Sequence, residues 1–281
     1  MHNTGVVVVA QNNAQDNYVE QASLLAMSLK VTNPTLPISV ITNDKVPQEY
    51  THLFDNIIPI PYGDDASDSD WKIENRWKIY HCTPYENTIV MDTDMIVLQD
   101  ISSWIEFASN YTMYFTSNVY TYRGEKVTDD FYRKVFTEND LPNLYSGLHF
   151  FKKSEFAHEF YKWIELVTNN WELFYGQYAK EYYPGRFSMD VTVAIVSKIL
   201  DCDDDITNSI AKFPTFTHMK PKIQNWSKTS SSWQDSVGTY ISQDCSMKIG
   251  NYQQTGILHY TENDFVKKQG VIEIYRKYLN V

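Results

Sequence analysis

Short β-branched apolar runs alternate with helix-period stretches through the first hundred residues. Val6 to Val9 is continuously apolar, as a strand covered on both faces should be. After the polar stretch Gln11 to Asn17, the positions Tyr18, Ala22, Leu25 and Leu29 recur at helical spacing. Ile38 to Ile41 predicts a second strand closed by Asn43-Asp44, and Ile57 to Ile60, marked by Pro59 and Pro61, a third. Glu74 to Cys82 reads as a helix, and Pro84-Tyr85 turns into a fourth strand, Thr88 to Met91. Strand, helix, strand, repeated, predicts an α/β fold: a mixed, mainly parallel sheet flanked by helices.

Beyond residue 100 the pattern loosens. Met113 to Thr116 and Leu148 to Phe151 read as strands, and Ser154 to Val167 as an amphipathic helix. In Ser188 to Leu200, Met189, Val193, Val196 and Leu200 share one helical face, with Ser188 available as a cap. Ser227 to Ser236 is polar and predicts a mobile loop, Gly256 to Tyr260 a last strand, and Phe265 to Leu279 a closing helix. The acidic run Asp201 to Asp205 is expected to be solvated. With no repeat and no linker, residues 1–281 read as one domain with a C-terminal elaboration, in two halves, 1–100 and 101–281.

Composition narrows the function classes. Of 281 residues, 24 are basic and 35 acidic, a net charge of −11, which disfavours nucleic acid and membrane surfaces as partners. Cys82, Cys202 and Cys245 are too far apart to suggest a disulfide framework or a zinc knuckle. The start lacks a basic segment ahead of its short apolar run, and no apolar run is long enough to span a bilayer. These features predict a soluble, cytoplasmic chain with no transmembrane segment.

The chemistry concentrates at Asp92-Thr93-Asp94, directly after the fourth strand. Ligands of open α/β sheets bind beyond the carboxyl ends of strands. Two carboxylates one residue apart at such an end can converge on a hard cation, Mn²⁺ or Mg²⁺, that keeps positions for substrate phosphates. Haloacid-dehalogenase-type phosphatases also place Asp-x-Asp after a strand. Their pair lies on the first strand, however, and the position two residues past the second acid, Thr or Val there, is Ile96 here.

In order along the chain, these features resemble the GT-A glycosyltransferases (a Rossmann-like, nucleotide-diphospho-sugar transferase fold), and within them the glycogenin-like family 8. Asp16-Asn17-Tyr18 resembles the family's nucleotide-binding start. Arg76 falls where the family has a basic residue facing the donor phosphates. Tyr145-Ser146-Gly147 resembles its Asn-Ser-Gly strand, Ser188-Met189-Asp190 its Gly-Asp-Gln, and Ile257-Leu258-His259 the late strand that ends in a third metal ligand. The resemblance implies a nucleotide-diphosphate sugar donor, with UDP the expected nucleotide, a glycan or small-molecule acceptor, and retention of anomeric configuration. Asp92, Asp94 and His259 would bind the metal, with Asp190 and Arg76 catalytic. Tyr18, Asp16, Arg76, Asp92, Thr93, Ser146, Gly147 and Lys267 would contact the donor.

Three departures mark this chain. Tyr145 stands in place of the family's Asn and Val191 in place of its Gln, which points to a different sugar or acceptor. Tyr260 to Phe265 replaces the family's Gly, Lys, Pro and Trp after the His, leaving Lys267 and Lys268 as the cations for a diphosphate. Glu262 and Asp264 are candidates to hold the second nitrogen of His259. Tyr120, Tyr122, Trp226 and Trp233 are candidates for an acceptor groove. A sugar-nucleotide pyrophosphorylase would need a Gly-rich loop after the first strand, and Gln11 to Asn17 has no glycine. A non-catalytic carbohydrate-binding protein stays open as the alternative.

Overall fold

The structure is a computed structural model that describes residues 3–70, 72–127, 133–179, 186–219, 233, 237–262, 265–268 and 270–281. The first half runs β1 (Thr4–Val9), α1 (Tyr18–Thr32), β2 (Ile38–Ile41), β3 (Asn56–Ile58), α2 (Ile79–Cys82), β4 (Asn87–Met91), β5 (Met95–Val97), α3 (Ser102–Ala108) and β6 (Met113–Thr116). It continues with α4 (Lys134–Glu138), β7 (Tyr145–Lys152), α5 (Glu155–Asn169), α6 (Trp171–Tyr178), α7 (Met189–Ile199), α8 (Asp203–Ile206) and β8 (Thr217–His218). The last stretch holds β9 (Thr239–Ile241), β10 (Met247–Ile249), β11 (Tyr252–Gln254), β12 (Ile257–His259), α9 (Phe265–Lys268) and α10 (Val271–Leu279).

The main sheet has the order β3-β2-β1-β4-β7-β6. β1 to β4 are parallel, and β7 runs antiparallel to both β4 and β6. From β1 the chain moves outward to β2 and β3, then returns to the other side of β1 as β4. The order therefore reverses between β1 and β4, and the crevice beyond their carboxyl ends is where such sheets bind ligands. Side chains of β1 alternate between two cores: Val6 and Val8 face a layer containing α1 and α10, and Val7 faces one containing α5 and α7. Burial on both faces is why this strand has no polar period.

Two smaller sheets accompany it among the described residues, β11-β10-β9 and β5-β12-β8. In the second, β12 lies antiparallel to β5, with His259 opposite Met95, and parallel to β8. A late segment is thereby stitched to the residues that follow the acidic pair.

Several expectations are corrected. The third strand stops at Ile58, because Pro59 has no N–H to continue the ladder. Glu74 to Cys82 is a 3₁₀ turn, Glu74–Lys78, followed by the single turn α2. Ser188 is the N-cap residue of α7, but its side chain makes no capping bond; its carbonyl accepts from Thr192 N and Oγ1. The closing helix is two helices, with Gly270 between them at φ +58°. In the acidic run Asp201, Asp204 and Asp205 are exposed, as expected, whereas Asp203 pairs with Lys198 at 2.7 Å and accepts from Ser197 Oγ. Most of Ser227 to Ser236 lies outside the described residues. Cys82, Cys202 and Cys245 are free thiols. Among the described residues no helix is long and apolar enough to cross a membrane.

Candidate active site

Buried β4 delivers Asp92 to the sheet's carboxyl edge, where its N–H donates to Gly147 O of β7 at 2.9 Å. Two residues on, the Asp94 carbonyl accepts from Tyr260 N at 3.1 Å, so the β5–β12 ladder fixes this acid beside His259. His259 Nε2 lies 2.9 Å from Asp94 Oδ2 and 3.8 Å from Asp92 Oδ2. One ligand atom from each of the three residues falls within 4.8 Å of the others. The side chains are 13–18% exposed, enclosed yet reachable from solvent.

Arg76, on the 3₁₀ turn Glu74–Lys78, forms an ion pair with Asp92 Oδ1. Burial pushes the Asp92 carboxyl above the usual range against the pull of Arg76 and His259, and the Asp94 charge adds to the rise. Burial also acts on Asp94, but the charge and hydrogen bond of His259 outweigh it and hold this carboxyl below the usual range. Two carboxylates and an imidazole aimed at one point are a donor set suited to Mn²⁺ or Mg²⁺. The backbone agrees with that use: a Cβ at Gly147 would collide with Asp92 Oδ2, so only glycine lets the acid lie against β7.

Next to Gly147, Ser146 donates from N and Oγ to Asp190 Oδ1 at 2.8 and 2.7 Å. Arg133 Nη1 donates to Asp190 Oδ2 at 2.5 Å. Burial raises the Asp190 carboxyl, but Arg133 and Ser146 together hold it below its ordinary value. With donors on both oxygens, Asp190 is arranged to organise its neighbours.

No protein-family model and no curated protein matches the chain. Among solved structures, the galactosyltransferase LgtC in complex with donor and acceptor sugar analogues aligns with 97% of this chain and 95% of its own, at TM-score 0.54 and 11% identity. Mouse xyloside xylosyltransferase 1, in its apo form, aligns with 92% of this chain and 98% of its own, at TM-score 0.52 and 9% identity. The fold is GT-A. GlyE of Streptococcus pneumoniae TIGR4 also matches, at TM-score 0.41 and 14% identity, and this chain spans 45% of it.

In the GT-A frame, the other expected site residues fall as follows. Asp16 and Tyr18 lie on the loop after β1 and at the start of α1, at the reversal point; Asp16 N donates to Asn13 Oδ1 at 2.6 Å, and Tyr18 packs on the core. Thr93 is buried and donates to Gln21 Oε1 of α1 at 3.2 Å, tying the acidic loop to that helix. Lys267 belongs to α9, and its side chain and that of Lys268 lie outside the described residues. Glu262 accepts from Trp233 N at 2.6 Å, and Asp264 is outside the described residues. Two aromatic rings pack on His259: the His218 ring lies parallel to it at 4.8 Å between centroids, and Phe216 meets it edge-on at 5.4 Å.

Of the groove candidates, Trp233 is instead a core residue donating to Tyr260 O, and Trp226 is outside the described residues. Tyr120 and Tyr122 line a cleft with Gln99, Trp104 and Gln254. Sequence reasoning missed Arg133, His218 and Gln21. His218 carries one local signal, its place on a short run beside Phe216; the other two carry none.

Proposed function

We propose that this protein is a metal-dependent glycosyltransferase, moving a sugar from a nucleotide-diphosphate donor, a UDP-sugar, to a hydroxyl of a glycan or small-molecule acceptor with retention of configuration. It acts in the cytoplasm as one GT-A unit over residues 1–281, without nucleic-acid partners. The observation that supports this is the meeting of Asp92, Asp94 and His259, from opposite parts of the chain, at the carboxyl edge of the sheet. LgtC has been seen with donor and acceptor sugar analogues, which supports the same two kinds of partner here.

Asp92, Asp94 and His259 would hold Mn²⁺ or Mg²⁺, which would supply Lewis-acid stabilisation to a diphosphate leaving group. Arg76 offers a guanidinium fork to phosphate oxygens from its place beside Asp92. Tyr18 stacks on the base and Asp16 accepts from a base N–H. Thr93, Ser146 and Gly147 line the donor site, and the sequence offers Lys267 as a cation for the diphosphate. Asp190 orients the reacting groups through Ser146. Preorganised donors around the leaving group meet the largest electrostatic demand of the transition state.

A screen of UDP- and GDP-sugars for Mn²⁺-dependent hydrolysis, with Asp94→Ala as control, tests this reading. Turnover of a UDP-sugar that vanishes in the variant is expected. Full activity in Asp94→Ala would remove the metal assignment, and inertness toward every donor would favour a binding protein.

A further inference from the structure

Arg133 lies just before α4, 9% exposed, and every arm of its guanidinium is engaged. Nε donates to Asn143 Oδ1 at 2.6 Å, Nη2 to Leu144 O at 2.5 Å and Nη1 to Asp190 Oδ2 at 2.5 Å. The plane is held between two rings, with Cζ 3.9 Å from the Phe136 centroid and 3.8 Å from that of Tyr145. Desolvated stacking of this kind is where cation–π attraction is strongest, and only arginine supplies a planar fork to use it.

Two paths lead from this group to the candidate cation site. The first is polar: Arg133 fixes Asp190, Asp190 fixes Ser146 N and Oγ, and the adjoining Gly147 carbonyl receives the Asp92 N–H. The second is aromatic: Tyr145 meets Phe216 and His218 edge-on at 5.4 and 6.0 Å, and His218 lies flat on His259. We propose that Arg133 is the positioning residue of the cation site, one guanidinium that sets both the Asp92 carboxylate and the His259 imidazole. Tyr145, where the resembled family has Asn, is then half of the clamp that holds Arg133. The inference rests on the cation reading above.

The test is Mn²⁺ affinity, read from the electron paramagnetic resonance of free Mn²⁺, for the whole chain and its variants without any sugar donor. Loss of a group that orients metal ligands typically weakens affinity about 10–100-fold. Arg133→Lys, which keeps the charge and loses the fork, is expected to fall in that range while apo unfolding stays cooperative. Arg133→Ala is expected to weaken binding further and to regain affinity with added guanidinium ion. If Arg133→Ala does not fold, the double variant Arg133→Gln/Asp190→Asn, with neither charge buried, takes its place and is expected to show the same loss. Wild-type affinity in the folded variants would overturn the role of Arg133 alone. Failure of the unaltered protein to bind Mn²⁺ would overturn the cation reading and this inference with it.

Discussion

At Gly147 a hydrogen stands where any other residue would place a carbon against the Asp92 carboxylate. Gly147→Ala is expected to push that carboxylate off β7, at about 1–3 kcal/mol of stability for the overpacking. Urea unfolding and Mn²⁺ titration should register the change together; an unchanged Mn²⁺ affinity would contradict the placement of Asp92. Behind the same strand, His149 is buried with Ser146 O at 2.7 Å and the Tyr161 hydroxyl at 2.9 Å from its ring nitrogens. Burial pushes its pKa down to about 4 from an ordinary 6.5. As pH falls through that interval, the unfolded chain takes up the proton first. The folded state therefore loses stability, on the order of 3 kcal/mol by the acid end, and regains it as pH rises. His149→Gln should flatten this dependence in urea unfolding between about pH 7 and about pH 4.5. Parallel profiles for variant and wild type would sink the assignment.

The elements most exposed to error are the short ones that carry the site. Gly256 enters β12 at φ +76°, and a Cβ there would sit 3.2 Å from Trp104 Cη2. Gly256→Ala is expected to cost about 1–2 kcal/mol from the left-handed backbone alone and to loosen the strand that holds His259. Chemical denaturation measures the cost, and an unaltered midpoint would refute it. The sequence showed β1, β2 and β4 plainly, because strands covered on both faces keep continuous apolar runs. It did not show β9 to β11, three residues each, because even the buried–exposed–buried alternation of Met247, Lys248 and Ile249 in β10 is too short to read as a period. Helix α6 buries none of its own residues, so no stripe marks it. The acidic pair and His259 were legible because their residue types stand beside apolar strands. Arg133 was not, since its partners Asn143, Leu144, Tyr145 and Asp190 become neighbours only once β7 and α7 are packed.

For the whole molecule, linkage between folding and ligand binding gives the simplest check. Something that binds only the folded state raises stability by about 2.7 kcal/mol at a hundredfold excess over its dissociation constant. UDP with Mn²⁺ should therefore raise the unfolding temperature, and EDTA should abolish the gain. In Asp94→Ala neither addition should matter; a full shift in that variant would mean that the nucleotide is held without the acid pair. The seating of β12 between β5 and β8 has a consequence for biosynthesis as well. The ribosome releases both aspartates long before the imidazole that joins them, and β5 meanwhile waits for its neighbour. A chain stalled ahead of Ile257 carries two of the three candidate ligands and an unfilled slot. Completion of the candidate triad is thus deferred until translation has passed that strand.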